Sequence, residues 1–302
     1  MRAVRHRYEC PLRWADLDLL GHVNNVKYVD YLQEARGALL CSCAAAAGVS
    51  AQATGAYVVV RHEITFAAPL LFRRSSVSVD SWVSQLRTAS FALEHEIYDE
   101  QDDGSRTVYL RARTVLAPVD AVEQAPRRLL PAEREALAVY ADDAPVGREP
   151  SQPLRLEVPR AHAAHYPVQV RFSDLDIYRH VNNVKYVEYF QESRIALFRK
   201  LREPLKDFPR LNVVVAQTDL DYVAPITLRE EPYDAWTSIT AFGTKSMTID
   251  AEITDGTGGA AGGTVLARAR VVLVLFDLET QRSVAAPPGY REAVLGAFGV
   301  TA

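Results

Sequence analysis

The chain has 302 residues, of which 48% are hydrophobic and 24% are charged, and its formal net charge is −4. These values suit a globular protein of two domains of about 150 residues each. Lysine and arginine are scattered rather than clustered, which argues against a nucleic-acid partner. The sequence has no signal-peptide core and no apolar run of about 18 residues, so we expect a cytoplasmic protein that does not enter a membrane. Its three cysteines lack the spacing of a zinc site or a disulfide framework.

The first half is predicted to start with one strand and one long helix. A short strand over Arg5–Arg13 leads into an Asp-rich turn, and Asn24 or Asn25 is the expected N-cap of the helix, because an asparagine side chain can accept from the free amides of a first turn. Gly48 is the expected end of this helix. Alternating β-branched residues then predict strands at Tyr57–Phe66, Val77–Leu86, Ser90–Tyr98 and Val108–Leu116.

The second half is predicted to repeat this order. Pro131–Tyr140 should form a short helix, and the Pro-rich segment Asp142–Pro153 should link a first domain (residues 1–141) to a second (154–302). A strand within Leu154–Arg171, a helix opened by Asn182 or Asn183, and further strands follow, at Leu211–Tyr222, Tyr233–Ala241, Ser246–Ile253 and Val265–Phe276. The Gly-rich turn Asp255–Gly263 lacks phosphate-binding spacing. One helix and several antiparallel strands, present twice, indicate an α+β architecture in which each sheet curls around a buried helix.

A repeated motif stands at the start of each half. Residues 13–39 and 171–197, aligned at a constant offset of 158, are identical at 18 of 27 positions. A shared fold alone would preserve the apolar pattern and let polar residues drift, so retained polar residues in a duplicated chain indicate a functional site. The retained polar set is Asp16, Asp18, His22, Asn24 and Asn25, matched by Asp174, Asp176, His180, Asn182 and Asn183.

This polar set suits acyl transfer to water. Asp18 and Asp176 lie in the turn ahead of each helix, where a carboxylate can act as general base or as nucleophile. His22 and His180 can position a group or relay a proton. The first-turn amides and the positive end of the helix dipole can stabilise a developing oxyanion.

Other polar residues have structural interpretations. Asp16 and Asp174 are interpreted as caps near the start of the helix, since capping alone would select aspartate there. Glu34 and Glu192 are interpreted as solvated or as paired with the arginine two residues further on. The unmatched histidines are interpreted as surface or core residues, and no metal site is predicted, because the His162 and His165 pair lacks a third ligand. These histidines are His6, His62, His95, His162 and His165.

The pattern DLD-x-x-x-HVNNVKY, followed by a Gln-Glu-x-Arg helix, resembles the hot-dog-fold thioesterases of the 4-hydroxybenzoyl-CoA thioesterase-like and acyl-ACP thioesterase branches. The resemblance is specific over Asp16–Arg36 and Asp174–Arg194 and general over the strands. It implies two tandem hot-dog domains, each an antiparallel sheet wrapped around a long central helix, packed as a pseudo-dimer. It also implies catalytic residues at Asp18, His22, Asp176 and His180, with substrate-binding residues at Gly21, Val23, Asn24, Asn25, Arg179, Val181, Asn182 and Asn183.

We therefore expect a hydrolase of acyl-CoA or acyl-ACP thioesters, which could form homo-oligomers and needs no cofactor beyond the coenzyme A of its substrate. Two alternatives stay open. An enoyl-thioester hydratase of the same fold would carry an Asp-x-Asn-Pro-x-His pattern, which is missing here, and an acyl-CoA sensor would need an output element. Gly21 becomes Arg179 in the second repeat. Because glycine lets a ligand approach the chain closely, the first site is predicted to be the more active.

Overall fold

A computed structural model describes residues 4–46, 56–120, 123, 125–144, 147–256, 263–280 and 282–300. The chain divides into two compact units, Met1–Ser151 and Gln152–Ala302. Each unit is α+β and contains one long helix and an antiparallel sheet of five main strands. None of the described helices combines the length and the apolar character that a bilayer crossing requires.

In the first unit, helix α1 (Lys27–Ala46) follows a 3-10 turn at Trp14–Asp16, and helix α2 (Pro131–Ala138) follows the last strand. The strands are β1 (His6–Cys10), β2 (Ala56–Phe66), β3 (Val77–Leu86), β4 (Phe91–Glu100) and β5 (Arg106–Val119). They pair in the order β1-β3-β4-β5-β2, and every pair is antiparallel.

The core of the first unit lies between α1 and one face of its sheet. Leu39 of α1 belongs to one buried apolar cluster with Phe91 and Leu93 of β4 and Leu137 of α2. Successive strand residues point to opposite faces, so the odd-numbered residues of β4 face the helix. Leu39 is completely buried, and truncating such a side chain to alanine costs about 2–5 kcal/mol. This packing fixes α1 against the sheet and against α2.

The second unit repeats this plan. It contains helices α3 (Asn183–Lys200) and α4 (Tyr290–Ala297) and a 3-10 turn at Phe172–Asp174. Its strands are β6 (Ala164–Val168), β7 (Asn212–Tyr222), β8 (Tyr233–Phe242), β9 (Ser246–Thr254), β10 (Val265–Asp277) and β11 (Arg282–Ser283). They pair in the order β6-β8-β9-β10-β7, with β11 on β10. The buried core joins α3 to α4 through Leu197, Val294 and Leu295.

The predicted helix starts are confirmed in one unit and wrong in the other. Asn182 is the N-cap of α3, and its side chain accepts from the amide of Val184. In the first unit Asn24 makes the same bond with Val26, but the regular helix starts only at Lys27. Gly48 lies outside the described residues, as does most of the Asp255–Gly263 turn. The sequence patterns did not predict α4 or β11.

Candidate active site

A closed turn holds Asp18 in the first unit. Its Oδ1 atom accepts hydrogen bonds from the backbone amides of Leu20 (2.8 Å) and His22 (3.1 Å). Two backbone bonds close the same turn, from Asp18 N–H to the His22 carbonyl (2.7 Å) and from Gly21 N–H to the Asp18 carbonyl (3.1 Å). The other carboxylate oxygen, Oδ2, accepts no hydrogen bond from the described residues. The turn therefore fixes the carboxylate by one oxygen and leaves the other available.

The second unit contains the same turn around Asp176. Its Oδ1 accepts from the amides of Tyr178 (2.8 Å) and His180 (3.2 Å). Asp176 N–H donates to the His180 carbonyl at 2.8 Å, and Arg179 N–H donates to the Asp176 carbonyl at 3.0 Å. The two repeats thus preserve the geometry of the turn as well as its residues.

Gly21 and Arg179 share one backbone conformation. Both have positive φ, +78° and +65°, and Arg179 is the only described non-glycine residue with positive φ. A Cβ atom added at Gly21 would meet no described atom within 4 Å, and Arg179 is exposed. Open space beside the first turn therefore does not depend on a glycine at position 21. Tyr178 is half-buried, and its pKa is raised by burial and by the nearby charge of Asp176.

The turn is attached to the rest of the first unit by main-chain bonds. Val23 N–H donates to the carbonyl of Leu70 at 2.8 Å, and His22 forms an antiparallel bridge with Leu71. Asn24 N–H donates to the carbonyl of Asp16 at 2.8 Å. The second unit has the corresponding bonds from Val181, His180 and Asn182. These bonds place Asp18 and His22 directly ahead of the helix.

The buried aspartates have a structural role. Asp16 is 3% exposed, and its Oδ2 accepts from the hydroxyl of Tyr31 (2.8 Å) and from the guanidinium of Arg13 (3.0 Å). Asp174 is 6% exposed and accepts from the hydroxyl of Tyr189 at 2.8 Å. Each carboxylate therefore ties its 3-10 turn to the long helix of its unit.

The helix start offers hydrogen-bond donors. Asn24 and Asn182 accept from Val26 N–H (3.1 Å) and Val184 N–H (3.2 Å) through their side chains. The next amide in the first unit, that of Asn25, donates to no atom of the described residues. An amide left free at a helix N-terminus can stabilise negative charge on a ligand oxygen.

The histidines of the two turns are half-buried. The imidazoles of His22 and His180 form no hydrogen bond with any described residue, so both remain able to contact a substrate. Glu34 and Glu192 are exposed and form no ion pair with described residues, which fits the solvated interpretation. The described part of the chain has no group of three His, Cys, Asp or Glu residues that could hold a metal ion.

Sequence reasoning missed the tyrosines that brace each site. Tyr186 accepts from the amide of Ile226 at 2.9 Å, and Tyr28 accepts in the same way from the amide of Leu70. Tyr222 donates from its hydroxyl to the carbonyl of Asn183 at 2.9 Å. The identity of Tyr28 with Tyr186 in the repeat was a usable signal, whereas the contact of Tyr222 depends on the fold.

The sequence profile of the thioesterase-like superfamily matches residues 12–138 and 170–294. Because these matches cover most of the chain, the chain belongs to the thioesterase-like superfamily. It is also 35% identical over 82 residues to the uncharacterized protein YsmA of Bacillus subtilis. That match covers 27% of this chain and 54% of YsmA, so it spans about half of the relative's length.

Solved structures show the same fold along nearly the whole chain. A candidate oleoyl thioesterase from Lactobacillus plantarum has a TM-score of 0.70, with 91% of this chain and 98% of that one covered. An acyl-ACP thioesterase from Bacteroides thetaiotaomicron has a TM-score of 0.63, with 89% of this chain and 97% of that one covered. The 12:0-ACP thioesterase from Umbellularia californica has a TM-score of 0.66, with 90% of this chain and 94% of that one covered. All three are 16% identical to this chain, a likeness that defines the tandem hot-dog fold.

Proposed function

We propose that this protein hydrolyses acyl thioesters and that each unit carries a site built on its aspartate turn. The observation that carries the proposal is the same in both units. Two backbone amides hold one oxygen of Asp18 or Asp176, and no described residue occupies the other oxygen. This arrangement stands immediately ahead of a helix N-terminus. Membership of the thioesterase-like superfamily supports the same reaction.

The parts of the site correspond to the steps of hydrolysis. The free oxygen of Asp18 takes a proton from a water molecule, whose oxygen then attacks the acyl carbon. The amide of Asn25 and the helix dipole stabilise the negative charge that develops on the carbonyl oxygen. The carbon–sulfur bond breaks, and the proton held by Asp18 is available to the leaving thiolate. The products are a carboxylic acid and a thiol.

Direct attack by the carboxylate oxygen is the variant of this chemistry in which water enters in a second step. In both variants the same oxygen of Asp18 or Asp176 must be unprotonated and unoccupied. His22 and His180 are placed to orient the water or the sulfur, since no described residue holds their imidazoles.

We propose acyl-CoA or acyl-ACP thioesters as substrates, in line with the acyl-ACP thioesterases among the structural relatives. The proposed reaction uses no metal, because the carboxylate supplies the base and the helix start supplies the oxyanion donors. We also propose a cytoplasmic location, because the three cysteines have the spacing of neither a disulfide framework nor a zinc site.

The test is a screen of chelator-treated protein against acyl-CoAs of two to eighteen carbons, with release of free thiol as the signal. Thiol release above the buffer rate for at least one chain length is expected. No release from any acyl-CoA or acyl-ACP, together with measurable binding of the thioester, would favour an acyl-thioester sensor. Loss of the enoyl absorbance of an enoyl-CoA without thiol release would indicate a hydratase.

A further inference from the structure

The backbone of Arg179, in the aspartate turn of the second unit, adopts a conformation that arginine rarely takes. Its φ is +65°, and every other positive φ among the described residues belongs to a glycine. In this region the Cβ atom of an L residue lies too close to its own backbone, so any residue other than glycine has a steric cost. Strained residues of this kind concentrate at sites where the side chain has a function.

The first unit shows that the turn does not need an arginine at this position. Gly21 is the matching residue of the repeat, with a φ of +78°. In both turns the amide of this residue donates to the carbonyl of the aspartate, at 3.1 Å in the first unit and 3.0 Å in the second. Glycine would therefore form the second turn at a lower conformational cost. The presence of arginine instead indicates a role for its side chain.

The side chain of Arg179 has no role within the part of the chain that the structure describes. The residue is exposed, and its guanidinium forms no hydrogen bond and no ion pair with a described residue. A side chain that stabilised the turn would do so through a partner in the protein. The role therefore concerns a molecule outside the chain, and a guanidinium, which is always charged, favours an anionic one.

A second available guanidinium precedes Asp176 in the sequence. Arg171 is exposed, and only its backbone amide is engaged with a described residue, at 2.9 Å from Oδ2 of Asp174. The matching Arg13 of the first unit instead donates from its guanidinium to Asp16 at 3.0 Å. The second turn is therefore flanked by two available cations. The first turn has a glycine at one of these positions and a paired arginine at the other.

The proposed substrates have one anionic group in common. Acyl-CoA and acyl-ACP both hold the acyl thioester on a 4′-phosphopantetheine arm, whose far end is a phosphate ester. The thioester oxygen becomes negative only during the reaction, when the amides at the helix start stabilise it. A guanidinium matches the oxygens of a phosphate through paired N–H donors. The phosphate of the arm is therefore the anion that an available arginine beside this site can recognise.

The phosphate lies within reach of Arg179. The bond from the Arg179 amide to the Asp176 carbonyl closes a four-residue turn, which keeps the two Cα atoms within about 7 Å. The arginine side chain spans about 6 Å, and a hydrogen bond adds about 3 Å, so a phosphate up to about 16 Å from the Asp176 Cα can be contacted. The extended arm spans about 14–16 Å from sulfur to phosphorus. Because Arg179 is exposed, this contact needs no interior cavity.

We propose that Arg179 binds the phosphate of the phosphopantetheine arm, so that the second site, unlike the first, selects thioesters by this phosphate. This inference rests on the proposed function, which supplies the thioester end of the ligand. Arg179 is thereby a specificity residue for the carrier of the acyl group rather than for the acyl group itself. The two sites share their aspartate, histidine and asparagines and differ in the carrier that they accept.

The test compares two substrates with the same acyl group, an acyl-phosphopantetheine and an acyl-pantetheine, which lacks the phosphate. In Asp18→Asn only the second site works. There kcat/KM should be about 3- to 20-fold higher for the phosphorylated substrate, a gain between those of an exposed ion pair and of a charge-assisted hydrogen bond. Arg179→Gly in this background should reduce the ratio of the two kcat/KM values to within about twofold of one. Arg179→Lys keeps the charge and should retain part of the ratio, and added salt should lower it.

Two controls separate this contact from a general effect of charge. Arg202 is also exposed, and no described residue pairs with its side chain, but it lies beyond the far end of α3. Arg202→Gly in the Asp18→Asn background should therefore leave the ratio unchanged. In Asp176→Asn only the first site works, and the ratio should be close to one. Gly21→Arg in that background should raise it, and if that variant does not fold, the Arg179 variants decide.

A ratio close to one in Asp18→Asn, or an unchanged ratio after Arg179→Gly, would overturn the proposal. Assays with acyl-CoA and acyl-ACP then distinguish the two sources of the phosphate. Because both carriers contain it, Arg179→Gly should lower kcat/KM for both. A loss confined to acyl-CoA would assign Arg179 to the phosphates of the nucleotide, and a loss confined to acyl-ACP would assign it to the surface of the carrier protein. Either result would overturn the contact with the arm.

Binding separates this proposal from hydrolysis itself. In isothermal titration calorimetry with the full-length wild-type protein, phosphopantetheine should bind more tightly than pantetheine, and Arg179→Gly should remove the difference. That result, in a protein that releases thiol from no thioester, would refute hydrolysis and leave the phosphate contact in place. Hydrolysis with equal kcat/KM for the second site with and without the phosphate would refute the phosphate contact alone.

Discussion

The start of the long helix differs between the two units, and Tyr222 accounts for the difference. Its hydroxyl donates to the carbonyl of Asn183 at 2.9 Å, and its ring packs edge-on against Tyr186 at 5.0 Å. Phe66 packs in the same way against Tyr28 at 5.5 Å but has no hydroxyl. In the common alignment α3 starts two residues earlier than α1. The second site therefore has the more firmly held first turn, and we predict that it is the more active.

Tyr222→Phe removes that hydroxyl and keeps the ring. An uncharged hydrogen bond contributes about 0.5–1.5 kcal/mol, which corresponds to about a 2- to 12-fold change in rate if the bond positions the first-turn amides in the transition state. The variant should be measured in an Asp18→Asn background, where only the second site works. We expect kcat to fall by that factor and KM to change little, because the amides stabilise the charge formed during reaction.

The reciprocal change, Phe66→Tyr in an Asp176→Asn background, is the matched control and should raise kcat of the first site. Melting temperatures identify any loss that is due only to unfolding. An unchanged kcat for Tyr222→Phe would refute the positioning role. A fall of both KM and kcat in Tyr222→Phe and in Phe66→Tyr would refute it as well. A greater loss of activity from Asp18→Asn than from Asp176→Asn would refute the predicted order of the sites.

Three further predictions concern stability. Asp16→Asn with Asp174→Asn should lower stability by about 1 kcal/mol per site in urea unfolding while kcat is retained; a large loss of kcat would move the catalytic role to these residues. The pKa of His95 is about 3 in the folded protein and 6.5 in the unfolded chain. Between these pH values the unfolded chain therefore binds a proton at His95 and the folded chain does not. Stability should therefore fall by about 1.4 kcal/mol per pH unit for this group as pH decreases from 6.5 toward 3, and His95→Gln should show a shallower dependence. Arg179→Gly should stabilise the folded protein by about 1 kcal/mol, because glycine adopts a positive φ without the steric cost of a side chain. Gly21→Arg should destabilise it. An opposite sign in either variant would show that the arginine side chain makes a contact that offsets the strain.

Much of the fold could be predicted from local sequence patterns. β3 was predicted with its observed ends, and β7 and β8 were predicted to within one residue, because alternation of apolar residues reports directly on which strand face is buried. The start of α1 was missed by two residues, because Asn24 can bond the amide of Val26 without starting a regular helix. The earlier start of α3 depends on Tyr222, the last residue of β7, whose hydroxyl contacts Asn183. The two residues are far apart in the sequence, so a local pattern does not reveal the contact.

The site shows the same division between local and distant causes. The repeat marked Asp18, His22 and the asparagine pair because identical polar residues in two copies are visible in one sequence. The joint location of His62 and His95 in the core of the first unit was not predicted, since neither has a matching histidine in the second repeat. Their common location follows from the register of β2 to β5 and the face that α1 presents to the sheet. Single histidines in alternating strands carry no signal of that kind.

The most direct test of the proposed reaction compares two double variants, whose substituted aspartates lie two residues apart in each repeat. Asp18→Asn with Asp176→Asn removes the free carboxylate oxygen from both turns, and kcat/KM for the best acyl thioester should fall by about 100-fold or more. Asp16→Asn with Asp174→Asn makes the same chemical change at the buried carboxylates and should leave kcat/KM within a few-fold of the wild type. Full activity in the first double variant, with thiol release confirmed on purified protein, would contradict catalysis by the aspartate turns.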